Sequence, residues 1–496
     1  MPRATVHDLK TLILSFQPAV VIDSIEDERV ESLVAAVAAE LRLPLFQWSV
    51  TRGLRRAGGA EHAPFGTTDP LGMLRHIETL TLEAIFHLRD LAVHLTRPDV
   101  QRAFLDAAAK FSKTRSTMVV SGLSTDLPAA VSSRVVHLDL QLPSQRELRT
   151  LIGSVSAAIK ASGRPVTIDL KPEDLDALVI AMSGLTLNQA RQTLAYAALS
   201  DGRLSADDVG RILERKAQLI EDGGLLEYYP PGENAFEIGG FGRFREWLDR
   251  ERVGFGTEAR ALNLRPPRGV LIVGVQGCGK SLAAKVIARQ WRMPLLKLDA
   301  GRLLDKFVGE SEKNFRRALD MAESMAPAVL WIDEIEKGFA VGNSDVDGGL
   351  GRRLLGSFLT WLQEHKPPVF VAATANDLSV LSPELVRKGR FDEIFFVDLP
   401  DAAERAEILA IHLRLRHQDP SRFDLAALAA ASDGFSGAEL EQAVVASLYR
   451  TLYEKRPLDT ALLHSMLSAT VPLSVSRRED IAALRAYAAG RFVSVR

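Results

Sequence analysis

The chain has 496 residues, 47% of them hydrophobic, so three or four packing units are expected rather than one core. Its 61 basic and 63 acidic residues nearly cancel, to a net charge of −2. That balance removes any global electrostatic case for nucleic acid or an acidic lipid surface, and no apolar run is long enough to span a bilayer.

The single cysteine, Cys278, excludes an intramolecular disulfide and fits a reducing cytoplasm. The ten histidines show no zinc-ligand spacing. The opening stretch Thr11-Leu12-Ile13-Leu14-Ser15-Phe16 is short and soon meets Pro18, so it reads as part of a buried element and not as a leader. Pro18 to Ile22 is predicted as a strand, Glu26 to Leu41 as a helix and Pro44 to Val50 as a strand. The turn Asp23-Ser24-Ile25-Glu26-Asp27-Glu28 has neither glycine nor lysine, and its acids suit a helix N-terminus while repelling a phosphate. Thr51 to Gly59 is basic and glycine-rich and is predicted as a mobile, solvated loop, with contact to nucleic acid or an acidic partner as the alternative. Further strands are predicted at Ala84 to Leu88, ending in Arg89-Asp90, at Thr117 to Ser121 and at Val135 to Leu140. Gly184-Leu185-Thr186 opens a helix, and Glu221 through Gly232 reads as an interdomain linker.

A phosphate-binding loop follows. Gly274-Val275-Gln276-Gly277-Cys278-Gly279-Lys280-Ser281 fits G-x-x-x-x-G-K-[ST]. It lies between an apolar strand, Gly269 to Val273, and a helical pattern from Leu282 to Arg289. Backbone N–H groups and a helix N-terminus there surround a triphosphate. Lys280 is placed to reach its β- and γ-phosphates and Ser281 to ligate Mg²⁺, so ATP and Mg²⁺ are the expected cofactors. Lys280 and the helix N-terminus would lower the Cys278 thiol pKa, although small-residue packing is the plainer role for that side chain.

Lys306-Phe307-Val308-Gly309-Glu310-Ser311-Glu312 precedes an amphipathic helix predicted from about Asn314 to Ser324. Ala328 to Ile332 is a fully apolar strand ending in Asp333-Glu334. Asp333 is placed to hold Mg²⁺ through water, and Glu334 to orient and deprotonate the attacking water. Gly342 to Gly351 is predicted as a mobile exposed loop, and Arg352 and Arg353 after it could serve subunit contacts. The strand Val369 to Thr374 delivers Asn376 to the water or the γ-phosphate. Arg387 and Arg390 flank a glycine turn, from which planar guanidinium groups can reach a phosphoryl transition state in a neighbouring subunit.

In this order and spacing, Lys280, Asp333-Glu334, Asn376 and Arg387/Arg390 resemble the AAA family of ATPases. Gly434-Phe435-Ser436-Gly437-Ala438-Glu439-Leu440 resembles the lid-helix motif of its AAA subgroup. Arg405 and His412 resemble lid positions, with His412 near the nucleoside, and Ile238-Gly239-Gly240 resembles the hinge that contacts adenine. The match covers about residues 236 to 490. Within the family, the phosphate loop, Trp331-Ile332-Asp333-Glu334-Ile335-Glu336-Lys337 and Arg387-Lys388-Gly389-Arg390-Phe391-Asp392-Glu393 resemble the hypothetical chloroplast reading frame ATPases of plastids and cyanobacteria, also found in other bacteria. The resemblance implies an α/β P-loop AAA+ module, a parallel sheet sandwiched by helices, with a helical lid. It adds Leu282, Gly239, His412, Gly437 and Ala438 to the nucleotide contacts, and makes Phe307, Val308 and Gly309 a pore loop that grips polypeptide.

The first half echoes the second with the chemistry removed: Ala84 to Asp90 echoes Val329 to Glu334, with Arg89 where a metal-holding acid belongs. Thr117 to Ser121 echoes the strand before Asn376, and Gly184-Leu185-Thr186 echoes Gly434-Phe435-Ser436. The expected domains are a degenerate AAA-like module at 1–220, a linker at 221–237, the ATPase core at 238–402 and a helical lid with a C-terminal helix at 403–496. The expected function is an ATP-hydrolysing machine that remodels or translocates a protein partner as a homo-oligomeric ring, a hexamer. A nucleotide-switched regulatory or scaffold protein is the second reading. A DNA-directed AAA+ ATPase is a third, with the neutral charge and the aromatic pore pattern against it.

Overall fold

The computed structural model describes residues 5–496 apart from 25, 60–62, 123–126, 162–166, 223, 232–236, 302–307, 340–349, 366, 378–380 and 388. The chain divides into two compact units, Met1–Arg164 with Leu185–Tyr196, and Pro165–Gly184 with Ala197–Arg496.

The first unit contains strands β1 (Ala19–Asp23), β2 (Leu45–Ser49), β3 (Gly53–Arg56), β4 (Ile85–Arg89), β5 (Thr117–Gly122) and β6 (Val135–Asp139). They form one sheet in the order β3-β2-β4-β5-β1-β6, parallel except for the β2–β3 hairpin. Alternate residues of the apolar strands serve two cores, as expected of a sheet covered on both faces. Val20, Ile22 and Val119 pack with Val30, Val34 and Val37 of the Asp27–Leu41 helix. Val21, Met118 and Val120 pack with Leu74, Ile77 and Phe104 of the Pro70–Thr79 and Pro98–Phe111 helices. The basic segment expected as a loop is in part β3. It pairs with β2 through Trp48↔Leu54, and both side chains are buried, so cross-strand packing at that pair wins over the glycine content.

The second unit holds a short parallel pair, β7 (Thr167–Ile168) and β8 (Arg203–Leu204), and a seven-stranded sheet. Its strands are β9 (Leu226–Tyr229), β10 (Gly269–Gly274), β11 (Leu295–Asp299), β12 (Ala328–Asp333), β13 (Val369–Ala375), β14 (Glu393–Val397) and β15 (Val493–Ser494). Their order is β15-β14-β10-β13-β12-β11-β9, parallel except for β9. β9 lies in the segment read as linker. It joins the sheet because Leu226 and Tyr228 are buried on one face while Glu227 pairs with Lys297 at 3.1 Å. The Gly242–Arg252 and Lys280–Trp291 helices cover one face, burying Phe244, Trp247, Ile287 and Trp291. The Val308–Ser324 and Leu350–Glu364 helices cover the other, through Phe315, Leu319, Leu354 and Phe358. The first of these begins earlier than the expected Asn314, because one glycine costs a helix only about 1 kcal/mol and Gly309 does not stop it. A lid of the Ala402–Arg414, Leu425–Ala431, Gly437–Glu454 and Thr460–Ala469 helices packs around Leu409, Leu413, Phe435, Leu440 and Leu463.

The two sheets share one topology: β6-β1-β5-β4-β2 repeats β14-β10-β13-β12-β11. The likeness extends to single residues. Arg42 and Arg292 both end the helix after the first strand in a left-handed conformation, with φ of 53° and 55°. Each is followed by an apolar residue, a proline and a leucine that enters the next strand, Leu43-Pro44-Leu45 and Met293-Pro294-Leu295. Asp90 and Glu334, each just after the corresponding strand, are left-handed too, at 55° and 49°. Among the described residues no helix is long and apolar enough to cross a membrane.

Candidate functional site

The phosphate loop leaves the carboxyl end of β10, where a parallel sheet presents its binding crevice. Gly277 has φ +76° and a Cβ on it would lie 3.1 Å from both Ala438 Cβ and Ser436 Oγ, so a bare backbone is required there. Ala438 N donates to Gly277 O at 2.9 Å, which brings the start of the Gly437–Glu454 helix onto the loop. That helix is capped by Ser436 and Glu439 in a reciprocal box, which explains the local sequence. Lys280 is buried, and its Nζ donates to Gly274 O at 2.9 Å and Val275 O at 2.8 Å. Burial lowers its pKa to about 8, against the pull of Glu336, Asp333 and Glu334.

A cavity of about 350 Å³, within the size range of small-molecule sites, opens over this loop. It is lined by Gln276 through Leu282 with Asp333, Glu334, Thr374 and Asn376. Ile238, Gly239, Ile411, His412, Gly437 and Ala438 also line it. The predicted nucleotide residues therefore converge on one cavity, save Gly274 and Val275, whose carbonyls hold Lys280 instead.

The acids are tied into one network. Ser281 Oγ donates to Asp333 Oδ1 at 3.0 Å, and Thr374 Oγ1 donates to the same oxygen at 2.5 Å. Thr374 Oγ1 also accepts from Glu334 N at 3.0 Å. Asn376 Nδ2 donates to Glu334 Oε1 at 2.9 Å, and Lys337 Nζ pairs with Glu334 Oε2. Glu336 Oε1 accepts from Asn376 N at 2.9 Å, while its Oε2 is buried with no partner among the described residues. Burial raises the Glu336 pKa. The left-handed backbone at Glu334 turns its carboxylate out of β12, a local strain of the kind that clusters at functional sites.

Cys278 does not have the lowered pKa that its neighbours would favour. It is 8% exposed, and burial pushes the thiol up to about 12, outweighing Lys280. The structure thus supports packing and leaves little thiolate at neutral pH. His412 lines the cavity, with its pKa lowered mainly by burial while Glu441 opposes. Arg405 is a strut: its guanidinium donates to Ala429 O at 3.0 Å and Pro400 O at 2.8 Å and stays outside the cavity lining. Arg387 is exposed, Arg390 is half-buried with Nη1 3.3 Å from Leu359 O, and neither lines the cavity. Arg353 pairs with Glu312 at 2.7 Å. Of the residues expected to form a pore loop, Phe307 lies outside the described residues, while Val308 and Gly309 open the Val308–Ser324 helix. Residues 342–349 of the loop expected at Gly342 to Gly351 and Lys388 also lie outside the described residues, while Leu350 and Gly351 begin the Leu350–Glu364 helix.

The matching place in the first unit is filled by the chain itself. Glu26 Oε1 accepts the Leu187 N–H at 2.6 Å, and its other oxygen pairs with Arg29 at 3.2 Å. A carboxylate thus stands after β1 where the second unit has its phosphate loop after β10.

Sequence reasoning missed several lining or supporting groups: Thr374, Glu336, Lys337, Glu404, Val495 and Arg496. Thr374 had a signal, a lone hydroxyl at the end of an otherwise apolar strand. Val495 and Arg496 had none, since nothing local marks a short strand as adding to a distant sheet edge.

The sheet order, the loop after β10, the acids after β12 and the helical lid define a P-loop module of the AAA+ kind, preceded by an AAA-like module. The chain belongs to the AAA family of ATPases. Residues 270–399 match the ATPase family associated with various cellular activities, 5–140 the N-terminal domain of SpoVK-like AAA ATPases, and 146–223 the second domain of those ATPases. The AAA domain-containing protein ycf46 of Guillardia theta is 34% identical over 487 residues, 97% of this chain and 94% of that one. Its counterpart in Trieres chinensis is 34% identical over 489 residues, 97% of this chain and 96% of that one. The proteasome-activating nucleotidase of Aeropyrum pernix is 36% identical over 200 residues, 39% of this chain and 48% of that protein.

Proposed function

We propose that the chain hydrolyses ATP in the second unit alone, as a ring-forming machine that remodels or translocates a protein partner. The observation that carries the catalytic part is the network joining Lys280, Ser281, Asp333, Glu334 and Asn376 in one cavity. Glu334 takes the proton of the attacking water, and Asn376 orients Glu334 through its Oε1. Ser281 Oγ and Asp333 Oδ1 are hard oxygen donors 3.0 Å apart, and no group of three His, Cys, Asp or Glu among the described residues would hold a metal alone. That donor pair fits Mg²⁺ shared with phosphates, where the ion supplies charge neutralisation. Residues 1–220 are proposed to bind no nucleotide, because Glu26 already caps the matching backbone position. Assembly with a neighbouring subunit, for which a hexameric ring is the proposed form, is supported by Arg387, exposed and outside the lining of its own cavity. A polypeptide partner is supported by relatives named for activating proteasomes.

Titration of the full chain with fluorescent ADP tests the site. One site per chain is expected, and a second saturable site would end the single-site reading. The pH profile carries its own sign. With Lys280 at about 8, the ammonium is already present below that pH and affinity is flat there. Phosphates favour the charged form, so above pH 8 binding must take up a proton, and affinity falls by up to about tenfold per pH unit. Constant affinity up to pH of about 9.5 would show that burial does not lower the Lys280 pKa in the empty site.

The Phe307→Ala variant separates a motor from a nucleotide switch. Retained ATPase with loss of partner remodelling is expected. Remodelling at the parental rate would favour the switch.

A further inference from the structure

The last strand of the second unit does more than extend the sheet. β15 pairs with β14 through Phe395↔Val493 and Phe396↔Ser494, and the two residues that follow, Val495 and Arg496, line the nucleotide cavity. Val495 is buried. Its N–H donates to Phe396 O at 3.3 Å, and its carbonyl accepts from Phe244 N at 3.3 Å. It therefore ties β14 to the first turn of the Gly242–Arg252 helix, just past the hinge residues Ile238 and Gly239.

Arg496 makes the complementary contact, to the lid. Its Nε lies 3.1 Å from Glu404 Oε2, its Nη1 3.9 Å from Asp401 Oδ2, and its Nη2 donates to Leu399 O. Asp401 and Glu404 form the capping box of the Ala402–Arg414 helix. That helix carries Ile408, Ile411 and His412 into the cavity lining. Glu404 also presses on the hinge, since a Cβ on Gly240 would lie 2.5 Å from its Oε1. Its side chain is 15% exposed, so leaving it without Arg496 would strand a mostly buried carboxylate.

We infer that residues 493–496 form a clasp between the sheet and the lid at the hinge end of the cavity, with Arg496, acting through Glu404, as a positioning residue for nucleotide binding. The inference rests on the cavity being the ATP site. A nucleotide there touches the hinge side and the lid side together, so it contacts the same two bodies that the Arg496–Glu404 pair joins. Ligand and ion pair then favour the same closed arrangement and are thermodynamically coupled.

The test is fluorescent ADP affinity for the full chain, its Arg496→Ala, Arg496→Lys and Glu404→Gln variants, and the Arg496→Ala/Glu404→Gln double variant. Arg496→Ala is expected to weaken binding by about fivefold, the lower end of typical coupling between sites. Arg496→Lys should recover most of that loss. The double variant should bind no more weakly than Arg496→Ala alone, because one interaction cannot be lost twice. Affinity of Arg496→Ala equal to a binding-competent parent, or losses that simply add, would overturn the clasp alone. No saturable binding by the parent would overturn the ATP site and the clasp's role with it. Should Arg496→Ala not fold, Glu404→Gln decides, since it keeps an acceptor for the Asp401 N–H while removing the charge pair. The same fivefold loss is expected of it, and parental affinity there sinks the clasp.

Discussion

Glu334→Gln is expected to bind ATP as tightly as the parent and to lose turnover by roughly 10²- to 10⁴-fold, the usual contribution of a positioned general base. The substitution keeps shape and removes basicity. Asn376 Nδ2, now 2.9 Å from Glu334 Oε1, can donate to the glutamine oxygen in the same way. The backbone that sets the carboxylate is untouched, because the left-handed turn is held by the Glu334 N–H on Thr374 Oγ1. The lost pair with Lys337 is solvent-exposed on the lysine side, so folding should not register it. Phosphate release measured beside fluorescent ATP binding separates the two effects. Turnover at the parental rate would remove Glu334 from the role of base and leave Asp333, Glu336 or another group to be tested in its place.

The second sheet was legible because its strands are buried on both faces and read as unbroken apolar runs, such as Ala328 to Ile332. The phosphate loop and the acids were legible because chemistry fixes residue type at fixed spacing. The short edge strands were not. β9 has four residues and β15 two, and neither is long enough for its alternation to stand out from a turn. The same holds for β3, where Gly53 and three arginines nearby masked a single buried Leu54. The duplication is legible in strand order, and it carries a sharper local mark. Arg42-Leu43-Pro44-Leu45 and Arg292-Met293-Pro294-Leu295 lead from the matching helix into the matching strand, and both arginines adopt the left-handed cap. Arg89 ends β4 as Asp333 ends β12, and it pairs with Glu31 at 2.5 Å. Cys278 shows the limit of local reasoning. A lysine two residues away pulls its pKa down, but burial, which no short motif reports, pushes it up further.

Arg387→Ala is expected to cost about 10³-fold or more in turnover with nucleotide binding retained, the scale on which an arginine finger acts. The geometry behind this is negative: it concerns what Arg387 does not reach within its own chain. Arg387 is exposed and absent from the lining of its own cavity, so a contribution to its own γ-phosphate has no support here. Arg390 is less clean as a probe. It is half-buried and its Nη1 lies 3.3 Å from Leu359 O, so its removal would mix packing with chemistry. Nearby, Asp392 accepts the Arg268 and Gly269 N–H groups at 2.5 and 2.8 Å, which ties the start of β10 to the residue just before β14. Mixing provides the decisive form of the experiment. Glu334→Gln chains lack the base but carry Arg387, and Arg387→Ala chains carry the base. Each is inactive alone. If the arginine acts across the interface, a mixed ring contains junctions where an intact Glu334 meets an intact Arg387, and ATP turnover returns when the two preparations are combined. Arginine acting within its own chain predicts no recovery at any ratio. Silence in the mixture, with both variants shown to assemble, would therefore refute the shared site and with it the need for a ring.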